Sequence, residues 1–300
     1  MPKSIYAGKE FDAKAVGMGE TFVSVADNTS ASYWNPAGLK QLQRNYFTFA
    51  FNPYIASSAD KDKIYSECAI HGKDLLFMGI VIDNIALTYR PVSYYSENNS
   101  TQETVIRAGK YTLSSASQYS PKIALGLNMS YITGSLGISD KLANNVDLSY
   151  GYGVCADWGI IYSLSESARI GFAAENAPGY IWWDGYKYAQ IPSHLRTGLS
   201  ITPFKWLLMS AEYENYATNS DRDEAYHIGM QQILVNGLFV REGMISEKPF
   251  NKGKASAYTC GVGVEVKKDL MVDIAMKMYE LDDTEKSKVR DYHLSVNLPF

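Results

Sequence analysis

Nowhere in its 300 residues does the chain have an apolar run near the ~20 residues that a membrane-spanning helix needs. Its mean hydropathy of -0.20 agrees, so an α-helical membrane protein is excluded. A barrel is not, because lumen-facing residues dilute the average. Cysteine is scarce: Cys68, Cys155 and Cys260 are odd in number, far apart and without metal-ligand spacing, which reads as packing. Neither a metal nor a cofactor is therefore expected. His71, His194, His227 and His293 fall in different segments, none near a Ser or carboxylate at a recognisable catalytic spacing. The chain reads as a non-enzyme with no catalytic residues; the remaining enzymatic reading is a Ser-His pair that a barrel brings together from a distance. A net charge of -4 without a basic stripe argues against nucleic acid as a partner. No secretory signal opens the sequence, since Met1-Pro2-Lys3-Ser4 runs straight into Ile5-Tyr6-Ala7-Gly8. A secreted chain would already have lost it.

Tyrosine, by contrast, is abundant, at 23 against 11 Phe and 5 Trp. An apolar ring with a polar tip favours strands and membrane interfaces, which points to a β-protein with aromatic girdles. From residue 45 onward, period-two alternation dominates. Leu148 to Ser163 is the clearest case: Tyr150, Tyr152, Val154, Ala156, Trp158, Ile160 and Tyr162 face one way, while Gly151, Gly153, Cys155, Asp157 and Gly159 face the other. Small and acidic residues opposite an aromatic row suit a lipid face and a polar lumen. A soluble β-sandwich would leave that row unexplained. Asp157, Glu175, Arg196, Glu212, Glu214, Arg241, Asp273 and Lys277 all fall on the inward face of this pattern and are expected to pair or be solvated there.

Short turns alternate with longer connections such as Gly179 to Gln190, Ser246 to Lys254 and Leu281 to Lys288, as expected of the two ends of an outer-membrane barrel. Within Leu75 to Tyr95, Asp83-Asn84 is either a turn or a polar pair inside one long strand. Counting Ile64 to His71 as a strand, the first choice gives fifteen strands and the second fourteen. An even number is required, so the pair is read as a candidate kink in the wall. The last strand alternates from Arg290 to the end, with Tyr292, Leu294, Val296, Leu298 and Phe300 on one face.

Gly17 to Leu39, GMGETFVSVADNTSASYWNPAGL, is too Gly-broken for a long helix and too irregular for a strand. It reads as a compact plug. Gly17 and Gly19 punctuate it, Phe22, Val23, Val25 and Ala26 suggest about two helical turns, and Asp27 to Ser30 break them. Asn35-Pro36-Ala37-Gly38-Leu39 has the form of a helix start, with Asn as N-cap and Pro in the first turn.

Taken together, this stretch resembles the N-terminal region of the FadL family of outer-membrane transporters and their PorV-like relatives. The terminal aromatic strand is similar to the signal that the barrel assembly machinery reads. The resemblance implies an all-β chain, a transmembrane antiparallel β-barrel of about fourteen strands with a small N-terminal plug, or hatch, of short helices in its lumen. Residues 1–44 would form the plug and 45–300 the barrel, in the outer membrane of a Gram-negative bacterium and surrounded by its lipid. It further implies passive uptake of hydrophobic or amphipathic molecules such as long-chain fatty acids, gated by the plug, with Gly17, Gly19, Asn35, Pro36, Ala37 and Gly38 as the plug motif. In that family ligands collect on external loops and leave sideways through the wall. Tyr180, Trp182, Trp183, Tyr186 and Tyr188 would be the capture loop here, against the plainer reading of an aromatic girdle. The PorV-like side of the resemblance implies a docking or scaffold subunit holding a secretion-system protein. An apolar lumen pocket favours transport; a charged lumen and a sealed wall favour docking.

Overall fold

Strands with one apolar and one polar face leave no backbone group unpaired in lipid only if the sheet closes on itself. The computed structural model describes residues 11–52, 75–99, 102–140, 145–184, 189–216, 222–249, 255–281 and 288–300. Its strands are β1 (Tyr46–Phe51), β2 (Leu75–Ile82), β3 (Ile85–Asn99), β4 (Gln102–Ser120), β5 (Ile123–Asp140), β6 (Asn145–Ser165), β7 (Ala168–Glu175), β8 (Gly179–Trp183), β9 (Ala189–Gln190), β10 (His194–Phe204), β11 (Leu207–Tyr216), β12 (Arg222–Val235), β13 (Leu238–Pro249), β14 (Ala255–Lys267), β15 (Leu270–Leu281) and β16 (Lys288–Pro299). Consecutive strands pair antiparallel except around β8 and β9: β7 pairs with β10, β8 pairs with β6, and β1 pairs with both β2 and β16. The result is a closed wall of fourteen strands, with β8 and β9 as a short extension. No helix among the described residues is long and apolar enough to cross a membrane.

Burial follows the alternation. On β6, Tyr150, Tyr152, Val154, Trp158, Ile160 and Tyr162 are exposed on the outer face, while Cys155 and Asp157 are buried on the inner one. Two-residue turns at 83–84, 121–122, 166–167, 205–206, 236–237 and 268–269 lie at one end, where the chain also enters β1 and leaves β16. There the Phe300 amide donates to the Asn45 carbonyl over 3.1 Å, and the Phe47 and Phe300 rings stand 4.7 Å apart. The opposite, loop end carries the longer connections.

Two expectations about the wall are corrected. Asp83 and Asn84 do not kink a strand: with φ of 47° and 70° they form the turn between β2 and β3, where Ile82 faces Ile85. A two-residue hairpin turn of this kind, type I′, needs positive φ at both positions, and Asp and Asn tolerate this better than other residues with a Cβ. The expected strand at Ile64 to His71 lies outside the described residues; β1 meets β2 directly, so fourteen strands are reached without it. The second correction concerns Gly179 to Gln190. Instead of an open loop, β8 continues the wall along β6, with Trp183 opposite Gly151, and β9 pairs back on β8. The real irregularity lies at 176–178: Ala174 to Gly179 spans five residue steps where Trp158 to Cys155 spans three, so the β7–β8 edge carries two extra residues as a bulge.

Residues 11–41 lie inside the barrel. They form α1 (Ala13–Gly17), α2 (Ala31–Trp34) and a 3-10 helix (Pro36–Gln41), in contact with β4, β5 and β6 on one side and β13 to β16 on the other. The helix expected at Phe22 to Ala26 is a series of turns, and the helix nearby, α1, ends on Gly17 rather than starting after Gly19. So short a run cannot nucleate a helix by itself. Its side chains are buried all the same: Met18, Phe22, Val25, Trp34 and Leu39 pack together with Val81 and Ile161 of the wall.

The turn at 83–84 is directly testable. Asn84→Gly should stabilise the barrel by up to about 1 kcal/mol, and a Val-Val replacement should cost about 2–4 kcal/mol, in urea unfolding of the detergent-solubilised barrel. Were these residues inside a strand, the β-branched pair would be tolerated.

Candidate functional site

The site lies where the N-terminal segment meets the inner wall. Paired strands present glycines opposite one another: Gly126 faces Gly159, Gly171 faces Gly198, and Gly229 faces Gly243. The segment's atoms occupy the space a side chain would take. A Cβ on Gly126 would collide with the Ala37 amide, on Gly159 with the Asn35 side chain, on Gly171 with the Val23 carbonyl, and on Gly229 with the Met18 carbonyl. The approach is mutual at Gly17, where an added Cβ would stand 3.2 Å from the Gly261 Cα. Gly19, with φ of 67°, has no room for a Cβ beside the Ile228 carbonyl, and Gly38 has none beside Ala26. These wall glycines were not singled out as a set from the sequence, although glycine recurring at inward strand positions was the available signal.

Polar contacts fix the segment in this seat. Asn35 caps the 3-10 helix by accepting from the Ala37 amide over 3.1 Å, and its amide group donates to the carbonyls of Val23, Ile160 and Phe172 at 2.8, 3.0 and 3.3 Å. One side chain thereby ties the segment to β6 and β7 at once. Pro36 and Ala37 follow directly, against the glycine pair of β5 and β6. On the other side, the Gly19 amide donates to Thr259 over 3.0 Å, its carbonyl lies 2.8 Å from His227 Nδ1, and the Val23 amide donates to Glu212 over 2.8 Å. Lys277 of β15 meets Glu20 at 2.5 Å with both side chains buried.

The eight inward ionisable residues gather in networks rather than solvent. Arg196 donates to Glu214 over 2.8 Å and to the Tyr33 hydroxyl over 3.0 Å, and its guanidinium lies over the Tyr33 and Trp34 rings. Glu214 also stands 3.3 Å from His194 Nε2 and 3.6 Å from His227 Nε2. Lys110 bridges Asp157 and Glu175 at 3.5 and 3.3 Å, and Arg241 meets Asp273 at 2.6 Å. Low local dielectric makes each such pair strong when complete and costly when broken.

Towards the loop end the lining changes character. Ala108, Ile132, Leu136, Cys155, Ile181, Trp183 and Ile191 form a separate buried apolar cluster. The candidate capture residues are thus divided. Trp183 is in this inner cluster, Trp182 stacks on Tyr152 of the outer row at 5.4 Å, and Tyr180 pairs across from Val154, while Tyr186 and Tyr188 lie outside the described residues. At the turn end, a pocket of about 250 Å³ opens beside the segment, where Lys14, Asp27, Arg241 and Asp273 meet Tyr46, Phe239 and Met271. The C-terminal residues Tyr292, Leu294, Val296, Leu298 and Phe300 form the outward row of β16, far from these groups in role.

No protein-family profile and no curated protein sequence matches the chain. Solved structures do. The CymD monoaromatic hydrocarbon channel is similar with a TM-score of 0.70 and 12% identity over 97% of each chain. The Ralstonia pickettii toluene transporter TbuX gives 0.69 and 13% over 98% of this chain and 99% of its own, and a Pseudomonas aeruginosa FadL homologue 0.66 and 10% over 97% and 98%. The fold is that of the FadL-type outer-membrane barrels.

The Lys277–Glu20 pair gives a clean test of how the segment is held. Lys277→Met alone should cost about 3–5 kcal/mol in urea unfolding because it removes the ammonium from a buried ion pair, and adding Glu20→Gln should recover most of the loss.

Proposed function

We propose that the protein is an outer-membrane channel for passive uptake of hydrophobic or amphipathic molecules, such as long-chain fatty acids, and that residues 1–44 gate a channel formed by 45–300. The observation that carries this reading is a segment seated across the lumen by hydrogen bonds and ion pairs as well as packing. Polar contacts of that kind can be exchanged for water or for one another, as a movable plug requires. The apolar cluster around Trp183 at the loop end supports it, since a hydrophobic ligand entering there meets an apolar lining before the charged belt. The likeness to solved hydrocarbon channels supports it further. On this reading the loop end faces outward, the turn end faces the periplasm, and the β16 row with Phe300 is the signal for the barrel assembly machinery.

A second reading has its own support. The lumen at the level of Arg196, Glu212 and Glu214 is filled by mutually paired charges, and the wall pairs all the way round. A barrel so filled suits a PorV-like docking subunit that presents its loops to a secretion-system protein.

A tether separates the two. The Thr21 hydroxyl of the segment is hydrogen-bonded to the Ser210 hydroxyl of β11, so cysteines at these two positions would bring their sulfurs together. In a background without the native cysteines, the oxidised Thr21→Cys/Ser210→Cys barrel should lose uptake of a hydrophobic fluorophore into vesicles, and reduction should restore it. Equal uptake in both states, or none in the untethered barrel, would count against a gated channel.

A further inference from the structure

Among the described residues the outer face of the wall is largely apolar, interrupted by side chains such as Ser115, Thr197, Glu224 and Gln232. Glu242 of β13 projects outward and is exposed, between Val240 and Met244 along its strand and opposite Met230 and Cys260 on its neighbours. Its even position makes the orientation unambiguous: Arg241 and Ile245 are buried in the lumen, and Met244 is exposed outside. Among the described residues, no hydrogen bond or ion pair reaches its carboxylate. It is four residues from the start of β13, about 13 Å along the strand at the usual rise, so it belongs to the wall and not to a rim.

Glu242 also lines a depression. A groove of about 490 Å³ runs across β10 to β13 on the outer surface, walled by Leu199, Ile201, Met209, Ala211, Ile228 and Met244. Its base is formed where the glycine pair 229 and 243 leaves the wall thin. An apolar concavity with a single well-placed polar group is the usual make-up of a small-molecule site, and the volume lies in the range of about 300–1,000 Å³ such sites occupy.

An ionised group facing hydrocarbon is costly, and the cost is offset when a counter-charge arrives. The strand neighbours of Glu242 offer none. We propose that this groove binds a single-chain amphiphile with a cationic, ammonium-type head, the chain lying across β10 to β12 and the head pairing with Glu242. The site is outside the lumen, and its thin base is the glycine pair against which Met18 and Gly19 lie on the inner side. It rests only on the barrel spanning a membrane, which is the first part of the proposed function.

The test uses the full-length barrel in phosphatidylcholine vesicles with nitroxide-labelled octadecylamine and the matched octadecanol. Spin-label spectra give the motionally restricted fraction of each probe and hence its relative association constant. For the unaltered barrel the amine should be preferred over the alcohol by about tenfold, as expected for a charge-assisted pair away from water. Glu242→Gln should bring the ratio close to one. Ala211→Phe, which fills the groove but keeps the carboxylate, should remove the restricted component of both probes at this site. A ratio near one in the unaltered barrel, or one that survives Glu242→Gln, overturns the proposal. A protein partner's basic membrane segment in the groove would appear as the absence of any amine preference, and so also against it. Failure of the membrane reading is distinguishable, because the protein would then not float with the vesicles or change mobility on heating.

Discussion

The N-terminal segment touches the barrel with its backbone, and a backbone can come that close only where the wall has no side chain. The rest of the interior follows from this constraint. Glycine pairs on β5 and β6, on β7 and β10, and on β12 and β13 set three seats, and Ala37, Asn35, Val23, Met18 and Gly19 fill them. A Cβ at any of these positions would push the segment away from the wall. With the backbone so near, Asn35 can reach strand carbonyls that are otherwise inaccessible to a lumen side chain. The glycines weaken the strands that carry them, since Gly contributes no packing and costs more entropy to order. The buried segment compensates from inside, with Phe22, Trp34 and Leu39 packed on Val81, Ala86 and Ile161.

Charge is arranged around the same seat. Inward Asp, Glu, Arg and Lys residues that would be ruinous if isolated are satisfied by one another and by the segment: Glu212 by the Val23 amide, Glu20 by Lys277, Arg196 by Glu214 and Tyr33. Wall and segment are therefore mutually dependent electrostatically as well as sterically. The apolar cluster around Trp183 stands apart from this belt, so the lumen is layered from the loop end inward as apolar lining, charged belt and seated segment.

Much of the wall was legible because period-two alternation is a local signal. Tyr150 to Tyr162 and Tyr292 to Phe300 declare their outward faces without knowledge of any neighbour, and Asp157, Glu212 and Lys277 declare the inward one. What was not legible depended on pairing. Asp83-Asn84 reads equally well as turn or strand until β2 is seen to meet β1 directly, which gives an even number of strands with the pair as a turn. Gly179 to Gln190 looks like a loop because Asp184-Gly185 breaks it and nothing local names its partner, yet β6 is long enough to pair with Gly179 to Trp183 beyond the bulge at 176–178. The glycine seats were visible as residues but not as a feature, since their meaning lies in what they face across the sheet and across the lumen. Asn35-Pro36-Ala37-Gly38 was readable as a helix start from its own chemistry; that Asn35 also grips β6 and β7 was not.

The most direct test of gated hydrophobic uptake is to identify, by mass spectrometry, the small molecules that copurify with the detergent-extracted, heat-modifiable barrel. The account predicts a fatty acid or comparable hydrophobic molecule in stoichiometric amount, lost when Trp183 is replaced by Ala. An empty barrel that brings down a defined protein instead would contradict it and make the protein a docking subunit.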